Sequence, residues 1–136
     1  MSESANTLLK ALVGRHVTQL RVDYAFTLIF WSREYSAEIR IEAPFTLTSA
    51  DGQTFHVEAE NVETVSPALQ VLNQVASEVA VQHGTLHIEF EGRTAISVSP
   101  LPKHEAWNLC GSGGLKVVCM PGGELAVWSR VQDKAQ

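Results

Sequence analysis

The stretch VTQLRVDYAFTLIFWSREYSAEIRI, residues 17–41, decides the fold, because apolar and polar side chains alternate along most of its length. Such period-two alternation is typical of β-strands, in which successive side chains point to opposite faces of a sheet. The pattern predicts three strands, over His16–Tyr24, Ala25–Trp31 and Ala37–Glu42. The second has apolar side chains on both faces, so we expect it to lie centrally in its sheet.

A similar order of apolar residues returns about 60 residues later in the chain. Residues 76–81, 86–90 and 96–98 match residues 17–22, 26–30 and 39–41. We infer two duplicated three-stranded antiparallel meanders, an internal repeat of approximately residues 12–48 and 71–99; a chance match of alternating strands is the alternative. Since one meander exposes an apolar face that it cannot bury alone, we expect the two copies to pair face to face or edge to edge.

Turn and capping residues place the elements outside the repeat. Asp51-Gly52 tolerates the positive φ angles of a tight turn and predicts a hairpin between Phe45–Thr48 and Thr54–Glu58. One short helix is expected at Ala5–Leu12. A second is expected from Ser66, because serine followed by proline is typical of a helix start.

Length and composition indicate an ordinary globular domain. The chain has 136 residues, of which 45% are hydrophobic and 18% are charged, and one core of that size needs no additional crosslink. We predict a mainly β fold of the β-rich α+β class with one or two short helices. Residues 1–136 are expected to form a single domain that ends in a flexible tail, residues 129–136.

The stretch EAWNLCGSGGLKVVCMPGGELAVW, residues 105–128, predicts the C-terminal strands. A hairpin around GSGG collects the apolar side chains on one face only if its loop has an odd number of residues. Leu109 then lies opposite Leu115, and Trp107 lies opposite Val117. Proline and glycine in PGG predict a turn into a last strand that ends at Trp128.

The two cysteines fall on opposite faces of this predicted hairpin. They are separated by more than the roughly 7 Å between Cα atoms that a disulfide tolerates. We therefore expect two free thiols, with Cys119 buried as a small apolar side chain and Cys110 facing outward. The N-terminus has no apolar core of signal-peptide length, and we therefore predict a cytoplasmic protein, in which free thiols are expected.

Four residues in or beside this stretch are candidates for a ligand- or partner-binding site: His104, Glu105, Trp107 and Cys110. Glu105 is the most informative, because it precedes Trp107 on the apolar face, where an unpaired carboxylate is costly. It is expected either to lie at the rim of the core or to pair with a base. The bases considered are Arg15, Arg40 and Lys116.

No motif in the chain predicts catalysis or a cofactor. GSGGLK lacks the spacing of a phosphate-binding loop, and the GxSxG elbow of serine hydrolases is absent. His83 and His87 have the spacing of a helical zinc site, but a strand would separate them by about 13 Å. We expect no catalytic residue, no metal and no cofactor.

Charge and hydropathy limit the classes of partner that we expect. The net charge is −5, from 15 acidic against 10 basic residues, and no stretch gathers the basic residues into a stripe, so nucleic acid is not expected as a partner. The apolar runs of about five residues are far shorter than the roughly 20 that cross a membrane. No membrane association is expected.

Two functional hypotheses follow. The first is a non-catalytic binding or regulatory module that acts through protein–protein contacts, as small acidic immunity-type proteins do. The second is a small-ligand binder or an enzyme, with a cleft between the two β repeats and with His104 and Glu105 as its polar groups. Homodimerisation through an open strand edge is a related possibility.

Several ordered motifs also resemble a family of small bacterial proteins known only as a domain of unknown function. They are Leu12-Val13-Gly14-Arg15, Pro44-Phe45-Thr46-Leu47, Glu105-Ala106-Trp107 and residues 115–128, LKVVCMPGGELAVW. The resemblance covers about residues 8–128, with departures in the longer WSREYS turn and at Ala43. It implies no enzyme activity, cofactor or catalytic residue, so it adds nothing to the chemistry.

Overall fold

The structure, a computed structural model, describes residues 2–128. Within this range the chain forms one α-helix and eleven β-strands, joined by turns and short 3₁₀ segments. The fold is β-rich, as predicted, whereas the predicted flexible tail, residues 129–136, lies outside the described residues. The elements are α1 Ser2–Leu9, β1 Gln19–Val22, β2 Phe26–Trp31, β3 Ser36–Ile41, β4 Phe45–Thr48, β5 Thr54–Val57, β6 Ala76–Gln82, β7 Thr85–Phe90, β8 Ala95–Val98, β9 Trp107–Gly111, β10 Lys116–Cys119 and β11 Leu125–Trp128.

Both predicted helical segments are present, with differences in length and type. α1 begins at Ser2, and Lys10–Leu12 continues it as a single 3₁₀ turn. Gly14 follows with a φ of +88°, the left-handed conformation that commonly occurs where a helix ends. The segment expected from Ser66 is a 3₁₀ helix, Ser66–Val71, rather than an α-helix.

The strands form two sheets in which all neighbours are antiparallel. The first sheet has the order β1-β2-β3-β9-β10-β11, and the second has the order β5-β4-β8-β7-β6. Each predicted meander is therefore present as three consecutive strands, one meander in each sheet. The third strand of each also pairs outside the meander, β3 with β9 and β8 with β4. Descent of the meanders from one duplicated unit stays a prediction.

The apolar sides of both meanders share one core. From β2 the core takes Phe26, Leu28 and Phe30, all at most 1% exposed. From the second meander it takes Val79, Val81, Leu86, Ile88, Ile96 and Val98. Each such side chain contributes roughly 1.5–3 kcal/mol when fully buried, which neither meander could gain alone.

β2 is covered on both faces, as its sequence predicted. Thr27 and Ile29 point away from the core yet are buried. The partners opposite Thr27 on the neighbouring strands are Arg21 and Arg40, and Glu38 lies opposite Ile29. Arg21 and Glu38 form an ion pair of 3.2 Å, and their long side chains cover the strand that lies between them.

The N-terminal part of the chain hydrogen-bonds to both ends of the outer edge of β6. Backbone hydrogen bonds join residues 14–17 to residues 73–76, among them Gly14 N–H to Ala76 O at 2.8 Å and Val17 N–H to Gln74 O at 2.9 Å. Further along, the Asn6 side chain donates to Val81 O and accepts from Val81 N–H, at 3.1 and 2.7 Å. Residues 14–17 precede β1 of the first repeat, and residues 73–76 lead into β6 of the second. The two repeats are therefore also joined edge to edge by these backbone hydrogen bonds.

The turn between β6 and β7 reaches the C-terminal hairpin at Gly84. The Gly84 carbonyl accepts hydrogen bonds from the Trp107 indole, at 3.0 Å, and from the Cys119 thiol, at 3.4 Å. Gly84 has a φ of +81°, and a Cβ on it would lie 2.7 Å from Gly123 Cα. Only glycine therefore fits this contact.

The register predicted for the C-terminal hairpin is wrong by two residues. The structure pairs Leu109 with Val117, not with Leu115, and it pairs Cys110 with Lys116. Gly111 N–H donates to Leu115 O at 3.0 Å, so Leu115 belongs to the loop and packs against Gly111. The loop still has an odd number of residues, so every side chain keeps its predicted face.

We expect Gly84→Ala to lower the free energy of unfolding by about 3 kcal/mol, since the new methyl group adds overpacking to an unfavourable positive φ. Gly52→Ala is the matched control, because Gly52 has a φ of +88° and open space around its Cβ position. It should cost only about 1 kcal/mol. Urea unfolding measures both values, and equal losses would contradict the close contact with Gly123.

Candidate functional site

An open groove of about 480 Å³ lies beside the end of β3. Its walls come from four segments that are distant in sequence: the β1–β2 turn, the end of β3 with the start of β4, the chain after β5, and the connection from β8 to β9. The lining residues are Tyr24, Arg40, Glu42, Pro44, Glu58, Ala59, Glu60, Leu101, His104 and Glu105. We call this feature the acidic groove.

The acidic groove brings together two of the four predicted site residues, His104 and Glu105. It differs from the predicted cleft in one respect, because none of its lining residues comes from β6, β7 or β8. The facing sides of the two meanders pack against one another in the core. The polar groups meet instead where the connection from the second meander crosses the end of the first.

Carboxylates dominate the charge of the acidic groove. Four glutamates face a single guanidinium, that of Arg40. Arg40 is already held by Glu42, at 3.2 Å, and by Asp23, at 3.6 Å. The Ala25 N–H donates a hydrogen bond to the Asp23 carboxylate and lowers its pKa, and the positive charge of Arg40 lowers that pKa further. Arg40 is therefore already engaged and forms no ion pair with Glu58, Glu60 or Glu105 within residues 2–128.

The remaining carboxylates differ in their partners. Glu58 lies 3.2 Å from His56 Nε2. Within residues 2–128, Glu60 and Glu105 form no ion pair. Glu105 is exposed at the rim, as one of the two predictions had it, and the predicted pairing with Arg15, Arg40 or Lys116 does not occur. Two carboxylates are thus available to an incoming cation.

Tyr24 is the large side chain of the acidic groove that the sequence interpretation placed incorrectly. Alternation predicted it on the face of β1 that carries Leu20 and Val22, but its exposure is 80%. β1 ends at Val22, and Asp23 forms a tight turn in which its carboxylate accepts the Ala25 N–H at 2.8 Å. Aspartate is a common turn former, and this was the signal that could have placed Tyr24 outside the strand.

Trp107 and Cys110 do not belong to the acidic groove. The Trp107 side chain is fully buried in the core, and its indole N–H donates a hydrogen bond to the Gly84 carbonyl. Cys110 is exposed on the outer face of the first sheet, opposite Glu38 and Lys116. The other two tryptophans, Trp31 and Trp128, are both exposed as well and lie outside the groove.

The two thiols are free, as predicted, and lie in different environments. Burial raises the pKa of the Cys119 thiol, and the negative charge of Glu105 adds to the rise, while a backbone hydrogen bond from Ala106 partly offsets it. Cys119 therefore remains a protonated donor to Gly84 at neutral pH. Cys110 faces solvent and has Asn108 Oδ1 at 3.6 Å.

The fold and the acidic groove define a small two-sheet antiparallel β protein with an open anionic site. A family model described as "Family of unknown function (DUF6188)" matches residues 8–129, so the chain belongs to that family. The match confirms the resemblance seen in the sequence motifs. No curated protein and no solved structure matches the chain. In the described residues, no helix has the length and apolar character needed to cross a membrane.

We expect a maleimide to label Cys110 rapidly in the folded protein and Cys119 at least about 100-fold more slowly, since Cys119 reacts only after local opening. Peptide mapping by mass spectrometry identifies the labelled residue. In the Cys110→Ser variant the rapid phase should be absent, and in urea both thiols should react. Rapid labelling of Cys119 in the folded protein would contradict its burial and its hydrogen bond to the Gly84 carbonyl.

Proposed function

We propose that this protein is a non-catalytic binding module that holds a positively charged segment of a partner protein in the acidic groove. One observation carries the proposal: four glutamates surround an open groove whose single guanidinium is already paired. Binding a basic segment here would shield that segment from other ligands, which is a regulatory or immunity-like action.

The chemistry of the acidic groove favours a lysine- or arginine-rich segment. Glu60 and Glu105 can accept charge-assisted hydrogen bonds, which are stronger than neutral ones. Tyr24 projects beside them with most of its surface exposed, and tyrosine is among the residues that most often anchor protein interfaces. Opposite charges also speed association and select partners.

A binding function rather than covalent catalysis is supported by the residue types that line the acidic groove. They include no serine, threonine, cysteine or lysine, four of the side-chain types that act as nucleophiles in covalent catalysis. The free thiols of Cys110 and Cys119 suit a cytoplasmic setting. The partner proposed is a protein, with neither nucleic acid nor a membrane as the target.

A small cationic ligand is the second candidate for the same site. The volume of about 480 Å³ falls within the range of small-molecule pockets, and His104 and Glu105 supply polar groups. An enclosed pocket is typical of such sites, whereas this groove is open, so a protein segment is the better match.

The Glu60→Gln, Glu105→Gln double variant tests the groove directly. Titrating the ¹⁵N-labelled protein with a lysine- and arginine-rich peptide of about ten residues should shift the amide signals that surround the groove. The double variant should weaken binding about 10-fold, because two charge-assisted contacts are lost. Glu34→Gln with Glu91→Gln is the matched control: it removes the same charge outside the groove and should leave the affinity within about 2-fold.

Tyr24→Ala separates a specific interface from general charge attraction. We expect it to weaken peptide binding by at least about 10-fold while the midpoint of urea unfolding stays unchanged, since the side chain is 80% exposed. Equal losses in the control double variant, or shifts spread over the whole surface, would contradict the proposal. Tighter binding of spermidine than of the peptide would favour the small-ligand candidate.

A further inference from the structure

Three side chains that can ligate a metal converge on the outer face of the second sheet. Glu78 lies on β6, and His87 and Glu89 lie on β7. One ligand atom of each, a carboxylate oxygen or an imidazole nitrogen, lies within 4.8 Å of the others. His87 Nε2 is 3.0 Å from a Glu89 carboxylate oxygen. This cluster is separate from the acidic groove, to which it contributes no residue.

The strand register brings the three residues together. Glu78 is paired directly with Glu89 across the ladder, and His87 precedes Glu89 by two residues, so all three point to the same face. A β-bulge between Ala76 and Glu78 shifts the register at the end of β6, and bulges often re-aim a side chain beside a site. The ligands thus stand on two hydrogen-bonded strands.

The charges of the cluster are unbalanced. Two carboxylates directly opposite one another on a sheet destabilise the pair of strands. Within residues 2–128, neither Glu78 nor Glu89 forms an ion pair with a lysine or an arginine. The one ion pair of the two glutamates in that range joins Glu89 to His87. Lys10 lines the same surface hollow as Glu78 without forming an ion pair. A cation between the carboxylates would turn the repulsion into attraction.

We infer that Glu78, His87 and Glu89 form a binding site for a divalent transition-metal ion of the zinc type. One imidazole with two carboxylates is a donor set that suits such ions, and Ca²⁺ and Mg²⁺ prefer oxygen ligands alone. Ligand distances of about 2.0–2.2 Å in a tetrahedral site place ligand atoms roughly 3.4 Å apart. The ligand atoms of the cluster lie within 4.8 Å of one another, which is close to that spacing.

The chain contains its own control for this site. His56 and Glu58 on and just after β5 repeat the arrangement of His87 and Glu89, with a distance of 3.2 Å. They lie on the same face of the same sheet, since His56, Thr46, Ser97 and His87 form one row across it. Three strand spacings, about 14 Å, separate the two histidines. No third ligand joins His56 and Glu58 in the described part of the chain.

Isothermal titration of the untagged full chain with ZnCl₂ tests the inference, with Cys110→Ser as the background so that the exposed thiol does not bind zinc. We expect saturable binding of one Zn²⁺ per chain, unaffected by excess Mg²⁺. His87→Ala and Glu78→Gln should each weaken it by at least about 10-fold. His56→Ala should change the affinity by less than about 2-fold. All these side chains are exposed or half-buried, and circular dichroism checks that each variant is folded.

Three results would overturn the inference. Absence of saturable zinc binding removes the site. Unchanged affinity in Glu78→Gln reduces it to a two-residue chelate like that of His56 and Glu58. An equal loss in His56→Ala and His87→Ala shows diffuse binding over the face of the sheet.

Discussion

The buried carbonyl of Gly84 is the constraint on which the rest of the structure depends. It accepts two hydrogen bonds, from the Trp107 indole and the Cys119 thiol, and those donors lie on two adjacent strands of the first sheet. A buried polar group without a partner costs roughly 1–3 kcal/mol, so the three groups stabilise one another only when the two sheets are packed in this single arrangement. The apolar core alone would tolerate small shifts between the sheets, but this contact does not.

The same contact also positions the acidic groove. Gly123 packs against Gly84, and Pro100 lies 3.3 Å from the Cβ position of Gly123. Gly122 N–H donates to Leu101 O at 2.8 Å. The connection that supplies Leu101, His104 and Glu105 is therefore fixed by the turn that meets Gly84. A groove built from four distant segments keeps its shape because one of its walls is attached to the most constrained point of the core.

Sequence patterns predict the parts of this structure that depend on local alternation. The strands of both meanders and the opposite faces of Cys110 and Cys119 follow from period-two spacing, and the burial of β2 on both faces follows from its apolar residues at consecutive positions. The groove and the cluster on the second sheet do not, because they depend on which strands become neighbours. Glu78 lies opposite Glu89 through a cross-strand register that includes a bulge, and His104 and Tyr24, 80 residues apart in the chain, line the same groove. An odd number of loop residues was enough to predict which face of the hairpin Leu109 occupies. Its cross-strand partner, Val117, depends on the conformation of the loop.

The net charge of −5 becomes informative once the basic residues are located. Arg21 and Arg40 are held in ion pairs over β2, Arg15 stacks on the Tyr35 ring at 4.0 Å, and the Lys116 ammonium lies 5.9 Å from the centre of the Trp128 ring. Four of the eight lysines and arginines in the described range thus make their ion-pair or ring contacts with residues of the first sheet and its turns. Within residues 2–128, Glu60 and Glu105 in the acidic groove and Glu78 on the second sheet have no ion-pair partner. Carboxylates gathered in a cleft raise the local concentration of cations more than the same charge spread evenly over the surface.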